Sequence, residues 1–146
     1  MRYYLLLLSF FVVLLLSAQS FEGTLSEVRV NGRSYASLPM QHFVLKLDNN
    51  STGSLRGKIP AIGKMPGYVE INVPIRLQGR ELLVQKKSSK AGRFHFKVGG
   101  SMGINLDEWK ARVEDGVLHF YLSCHSKLAF VTMARVSMRF EGKIEK

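Results

Sequence analysis

Apolar side chains at every second position recur from Phe21 to the end of the chain, and this alternation decides the fold class. In residues 67–77, Val69, Ile71, Val73, Ile75 and Leu77 share one face, while Glu70, Asn72, Pro74 and Arg76 share the other. In 93–98, Phe94, Phe96 and Val98 oppose Arg93, His95 and Lys97. In 117–125, Leu118, Phe120, Leu122 and Cys124 oppose His119, Tyr121, Ser123 and His125. Near the end, Leu128, Phe130, Ala134, Val136, Met138 and Phe140 share a face on which Thr132 is the only polar member. Successive side chains of a strand point to opposite faces, so each segment buries one face and wets the other.

Turn signals fall between these runs. Asn31-Gly32 and Asp115-Gly116 supply the positive φ that tight hairpins need. Looser turns fit 48–53, Gln78-Gly79 and 87–92; Pro39 should bend a strand, and Pro60 and Pro66 bracket a loop. Residues 105–116 admit two readings. As a helix they place Leu106, Trp109 and Val113 on one side; as a strand they alternate Trp109, Ala111 and Val113 with Lys110, Arg112 and Glu114. The Asp-Gly hairpin signal favours the strand. The expectation is an all-β domain of about eight to ten strands, a small antiparallel β-barrel or, as the alternative, a β-sandwich. Phe21-Glu22-Gly23 and Phe140-Glu141-Gly142 favour the barrel, because a closed barrel lays its first and last strands side by side.

The first twenty residues stand apart from this pattern. Residues 3–16 are almost entirely apolar, Arg2 precedes them, and Ala18-x-Ser20 follows as a small-residue cleavage site. The run is shorter than the roughly 20 residues a membrane-spanning helix requires. The reading is a signal peptide over 1–20, cleaved before Phe21, and one domain over 21–146 with no transmembrane segment after cleavage. The protein is then exported: periplasmic, associated with the outer surface, or secreted. One cysteine in 146 residues excludes a disulfide framework within the monomer and a cysteine-rich zinc site. Hydrophobic residues at 46% are too many for a disordered chain.

The order of short motifs resembles the calycin-like (lipocalin-like) β-barrel family of exported bacterial proteins. The residues that carry it are Phe21-x-Gly23, then Asn31-Gly32, a turn near 48–53 and Gly67-x-Val69-x-Ile71-x-Val73. Glu114-Asp115-Gly116-x-Leu118 and the terminal Phe140-x-Gly142 complete the series. The resemblance implies a small antiparallel barrel able to enclose a ligand site. Lipocalins carry Gly-x-Trp in their first strand, whereas here Thr24-Leu25 follows Gly23 and Trp109 is the only tryptophan. A lipidated cysteine is also absent, so no ligand-binding residue is carried over.

No spacing announces catalysis. Cys124 and His125 are sequence neighbours and so point to opposite faces of a strand; Cys124 reads as a buried small hydrophobe. His119 and His125 share a face about 20 Å apart, too far for one metal ion. His42 and His95 alternate with apolar neighbours and read as water-facing. Asp107-Glu108 and Glu114-Asp115 read as solvated residues of strand ends or turns, and 99–103 as a flexible glycine-rich connection. Asn49 and Asn50 carry overlapping glycosylation sequons that matter only in a eukaryotic secretory pathway. Neither an enzyme, a metal nor a cofactor is expected.

Two surfaces remain as candidates. Phe43, Phe94, Phe96, Phe120 and Phe130 would line a barrel interior that takes a small apolar or amphipathic ligand. An eight-stranded barrel either fills that interior with side chains or holds one small ligand. The alternative function is a cell-envelope or surface protein-interaction module with a filled core. Lys86, Lys87, Lys90 and Arg93 crowd one proposed hairpin loop, and the whole chain carries a formal charge of +10. This cluster points to an anionic envelope surface or glycan; export argues against nucleic acid.

Overall fold

The computed structural model describes residues 18–48, 51–85, 90–128 and 131–145. Ten strands follow one another: β1 Gln19–Val30, β2 Arg33–Tyr35, β3 Leu38–Leu47, β4 Thr52–Ile59, β5 Gly67–Gln78, β6 Glu81–Val84, β7 Lys90–Phe96, β8 Ser101–Glu114, β9 Val117–Leu128 and β10 Val131–Ile144. All their pairings are antiparallel, and β10 returns to pair with β1, closing an eight-stranded barrel with two extra strands. In the closing pair Gly23 faces Gly142 and Leu25 faces Phe140, so the two Phe-Glu-Gly motifs do lie on adjoining strands.

Two positions around the wall are shared by two short strands each. The lower part of β1 pairs with β3 and its upper part with β2. Likewise β5 pairs with β7 through Gly67–Ile71 and with β6 through Ile75–Gln78. This corrects the reading of 87–92 as a hairpin turn. Strands β6 and β7 run in the same direction against β5 and do not pair with each other.

Residues 105–116 are strand, as the Asp-Gly signal suggested, and Asp115-Gly116 makes the β8–β9 turn. Asp107 and Glu108 lie inside β8 rather than at its end, because a bulge sits between Leu106 and Glu108. A second bulge, at Glu27 with φ 50°, resets the alternation of β1, so that Leu25 and Val28 both point inward. Such extra residues bend a strand and tighten its twist, which a closing sheet requires.

The core is a filled plug. Phe43, Phe120 and Phe140 meet in one cluster with ring centroids 4.7–5.2 Å apart. Gly57 and Gly142 leave the space those rings occupy: a Cβ on Gly57 would lie 2.3 Å from the Phe43 ring, and one on Gly142 2.4 Å from that of Phe140. Leu55, Ile59, Ile71, Ile75, Leu118, Leu122 and Met138 pack around the cluster, all fully buried. Edge-to-face and offset aromatic pairs of this kind add to the burial energy.

Candidate ligand site at one end of the barrel

Antiparallel strands put alternate connections at opposite ends. One end is built by the Asn31-Gly32 turn, the loop 60–66, the turn 97–100 and the junction of β9 with β10. The loop 60–66 folds over the barrel. Its Ile62 and Met65 are buried, and Met65 N–H closes a turn on the Ile62 carbonyl at 3.1 Å. Gly63 takes φ +57° and lies against the Tyr35 ring, which a Cβ there would approach to 2.6 Å. The 97–100 turn is fastened to the loop by Lys97 N–H donating to the Pro66 carbonyl at 2.9 Å.

Between these parts lies an open cup of about 330 Å³. Val30, Tyr35, Met65, Phe94, Phe96 and Met102 give it apolar walls. Arg33 and Lys64, both exposed, stand at its edge, and Ser126, the one buried polar residue among the described residues, also lines it. Phe94 and Phe96 project from the same face of β7, with centroids 5.0 Å apart. The cup does not continue downward. Beneath it, between Val69, Phe94, Ile104 and Cys124, about 10 Å³ remains, room for a single water at most.

The five phenylalanines expected to line the interior therefore separate. Phe94 and Phe96 meet in the cup. Phe43 and Phe120 lie in the central plug; Phe120 also borders a cleft of about 680 Å³ with Leu82, Val84, Trp109 and Ala111. There the Trp109 indole N–H donates to the Leu82 carbonyl at 2.9 Å, tying β8 to β6. Phe130 lies outside the described residues. Of the basic cluster, Lys86 and Lys87 lie outside the described residues. Lys90 and Arg93 are exposed on β7, and Arg93 Nε donates to the Ser101 hydroxyl at 2.9 Å.

Val98 departs from its expected place. The alternation carries it on from Phe94 and Phe96, but β7 stops at Phe96 and Val98 is 96% exposed. Cys124 is buried, and that burial, reinforced by the Asp107 carboxylate, pushes its thiol up to about 12. Its thiolate is thus suppressed at neutral pH. His125 Nδ1 lies 2.7 and 2.9 Å from the two Asp107 oxygens, His95 pairs with Glu70 at 2.8 Å, and His42 with Glu145 at 2.6 Å.

The charge around the cup is one-sided. The segments 31–47, 60–69, 96–106 and 126–140, which form this end and the strands leaving it, contain no Asp or Glu. Arg33, Lys64, Lys97 and Arg135 are exposed there. The crowding of Lys86, Lys87, Lys90 and Arg93 in the sequence does not reveal this pattern. The signal was present as the repeated absence of acids at alternate connections. No protein-family model, curated protein or solved structure matches this chain. Fold and site define a closed eight-stranded barrel with a sealed core and one open, apolar, acid-free end.

Proposed function

We propose that this protein is an exported, non-catalytic barrel of the calycin-like (lipocalin-like) kind that holds one small amphipathic ligand in the end cup. The observation that carries this reading is the apolar cup of about 330 Å³ set above a sealed core, with Arg33 and Lys64 at its edge. Its volume lies at the small end of the range for ligand pockets. A short acyl chain or single ring would lie against Phe94, Phe96 and Met102, and an anionic head would face Arg33 and Lys64. The fixed Tyr35–Gly63 contact pre-forms one wall, which lowers the ordering cost of binding.

Calorimetric titration with decyl sulfate and decanoate tests the reading. Saturable one-to-one binding is expected, with at least a tenfold loss in Phe96→Glu. Phe96 is half-buried, so the variant should stay folded by circular dichroism. Absence of binding by both probes, or equal binding by the variant, overturns the proposal. The filled core around Phe43 supports the alternative of a surface interaction module. Native mass spectrometry of the exported protein separates the two: a bound small molecule favours the first, a stoichiometric protein partner the second.

A further inference from the structure

We propose that the acid-free end of the barrel docks on an anionic lipid bilayer. Val98 enters the boundary between headgroups and acyl chains, and Arg33, Lys64, Lys97 and Arg135 face the lipid phosphates. This goes beyond the ligand reading and does not depend on the cup being filled.

Three observations converge on this face. First, the most exposed of the described large hydrophobic residues, Val98 at 96%, is here. Val98 is held at the tip of a turn by Gly99 and Gly100, at φ 100° and 85°, with Phe96 N–H bonded to the Gly100 carbonyl at 3.1 Å. At that exposure the Val98 side chain has no packing role. Second, Lys97 borders one shallow outer groove with Lys58, Pro60, Ala61 and Tyr68, so a further cation stands beside the turn that carries Val98. Third, Arg33, Lys64, Lys97 and Arg135 are exposed here, and the connections that form this rim contain no carboxylate.

That combination fits a bilayer better than an acidic protein. A single protruding tip amid cations suits a deformable surface into which it inserts on its own, whereas a protein partner needs a continuous complementary patch. Cations within a Debye length of anionic headgroups are each attracted, and the effect falls with salt. The cup opens in the same direction, toward the lipid.

The test uses the mature chain beginning at Phe21, which keeps the closing β1–β10 pair. Co-sedimentation is measured with vesicles of equal parts phosphatidylglycerol and phosphatidylcholine, and with phosphatidylcholine alone. Binding to the first and not the second is expected, weakened by salt. Lys97→Gln with Arg135→Gln should weaken it about 25-fold, at about fivefold per cation. Neither residue lines the cup, so decyl sulfate binding should be unchanged, and this keeps failure of docking distinct from failure of the ligand reading. An environment-sensitive dye on Val98→Cys should shift to the blue on anionic vesicles, while one on Glu81→Cys, at the opposite end, should not; buried Cys124 stays unlabelled. Equal shifts at both positions, unchanged binding by the double variant, or binding to polyglutamate but not to vesicles would each overturn the proposal. The last result would assign this end to an acidic protein partner.

Discussion

The two ends of the barrel are made from the same ten strands and differ in almost everything else. At the cup end the connections are free of acids, Val98 stands in water, and a loop folds over an open depression. At the other end the connections and the strand ends beside them carry Asp48, Glu81, Glu114 and Asp115 and are knitted together. Asp48 accepts from the Thr52 hydroxyl at 2.9 Å and from its N–H at 3.1 Å. Arg80 pairs with Glu114, while Ile144 N–H donates to the Gly116 carbonyl at 2.8 Å. A closed barrel needs only hydrogen-bonded walls and a packed interior, and both ends satisfy that equally. Closing the barrel therefore does not require the asymmetry between its ends.

The largest effect should come from the plug that separates the ends. Phe43→Ala removes the ring that meets Phe120 and Phe140 over Gly57, and should cost about 3–5 kcal/mol in denaturant unfolding. A loss below about 1 kcal/mol would show that the core is loosely filled and the ends communicate. Next comes Gly63→Ala at the cup end. It forces a Cβ onto the Tyr35 ring at a left-handed position and should cost about 1–2 kcal/mol. Decyl sulfate affinity should fall with it, because Tyr35 is a wall of the cup; stability lost without any change in affinity would remove Tyr35 from the site. The smallest effect belongs to the opposite end. Arg80→Gln breaks an exposed pair with Glu114 and should change stability by less than about 1 kcal/mol and ligand affinity not at all. A larger change in either would mean that the finished end is coupled to the open one.

Much of the fold could be read from the chain because it rests on local rules. Alternation marked the strands, Asn31-Gly32 and Asp115-Gly116 marked tight turns, and the repeated Phe-Glu-Gly marked the strands that close the barrel. The errors came where a distant partner decides. Whether 84–92 turns back or continues depends on β5, which is long enough to pair with β6 and β7 in succession. Asp107 sits within a strand because β9 tolerates a bulge opposite it. Val98 satisfies the apolar period but lies beyond the last residue of β7, so periodicity alone placed it inside. The cup was legible only in part. Phe94 and Phe96 belong to it, but Tyr35, Met65 and Met102 come from segments that only the closed barrel brings together.

The β1–β10 pair has a consequence for how the molecule reaches this state. It joins the first of the ten strands to the last, as in Phe21 opposite Ile144, with every other strand between them in sequence. Bringing such distant segments together carries a large loop-closure entropy and slows folding relative to local hairpins. Until β10 arrives, β1 presents an unpaired edge capable of recruiting another chain. The seam that closes the eight-stranded barrel is thus the step at which its assembly is most exposed to error, and any holding factor that accompanies the chain would act by shielding β1 until β10 docks.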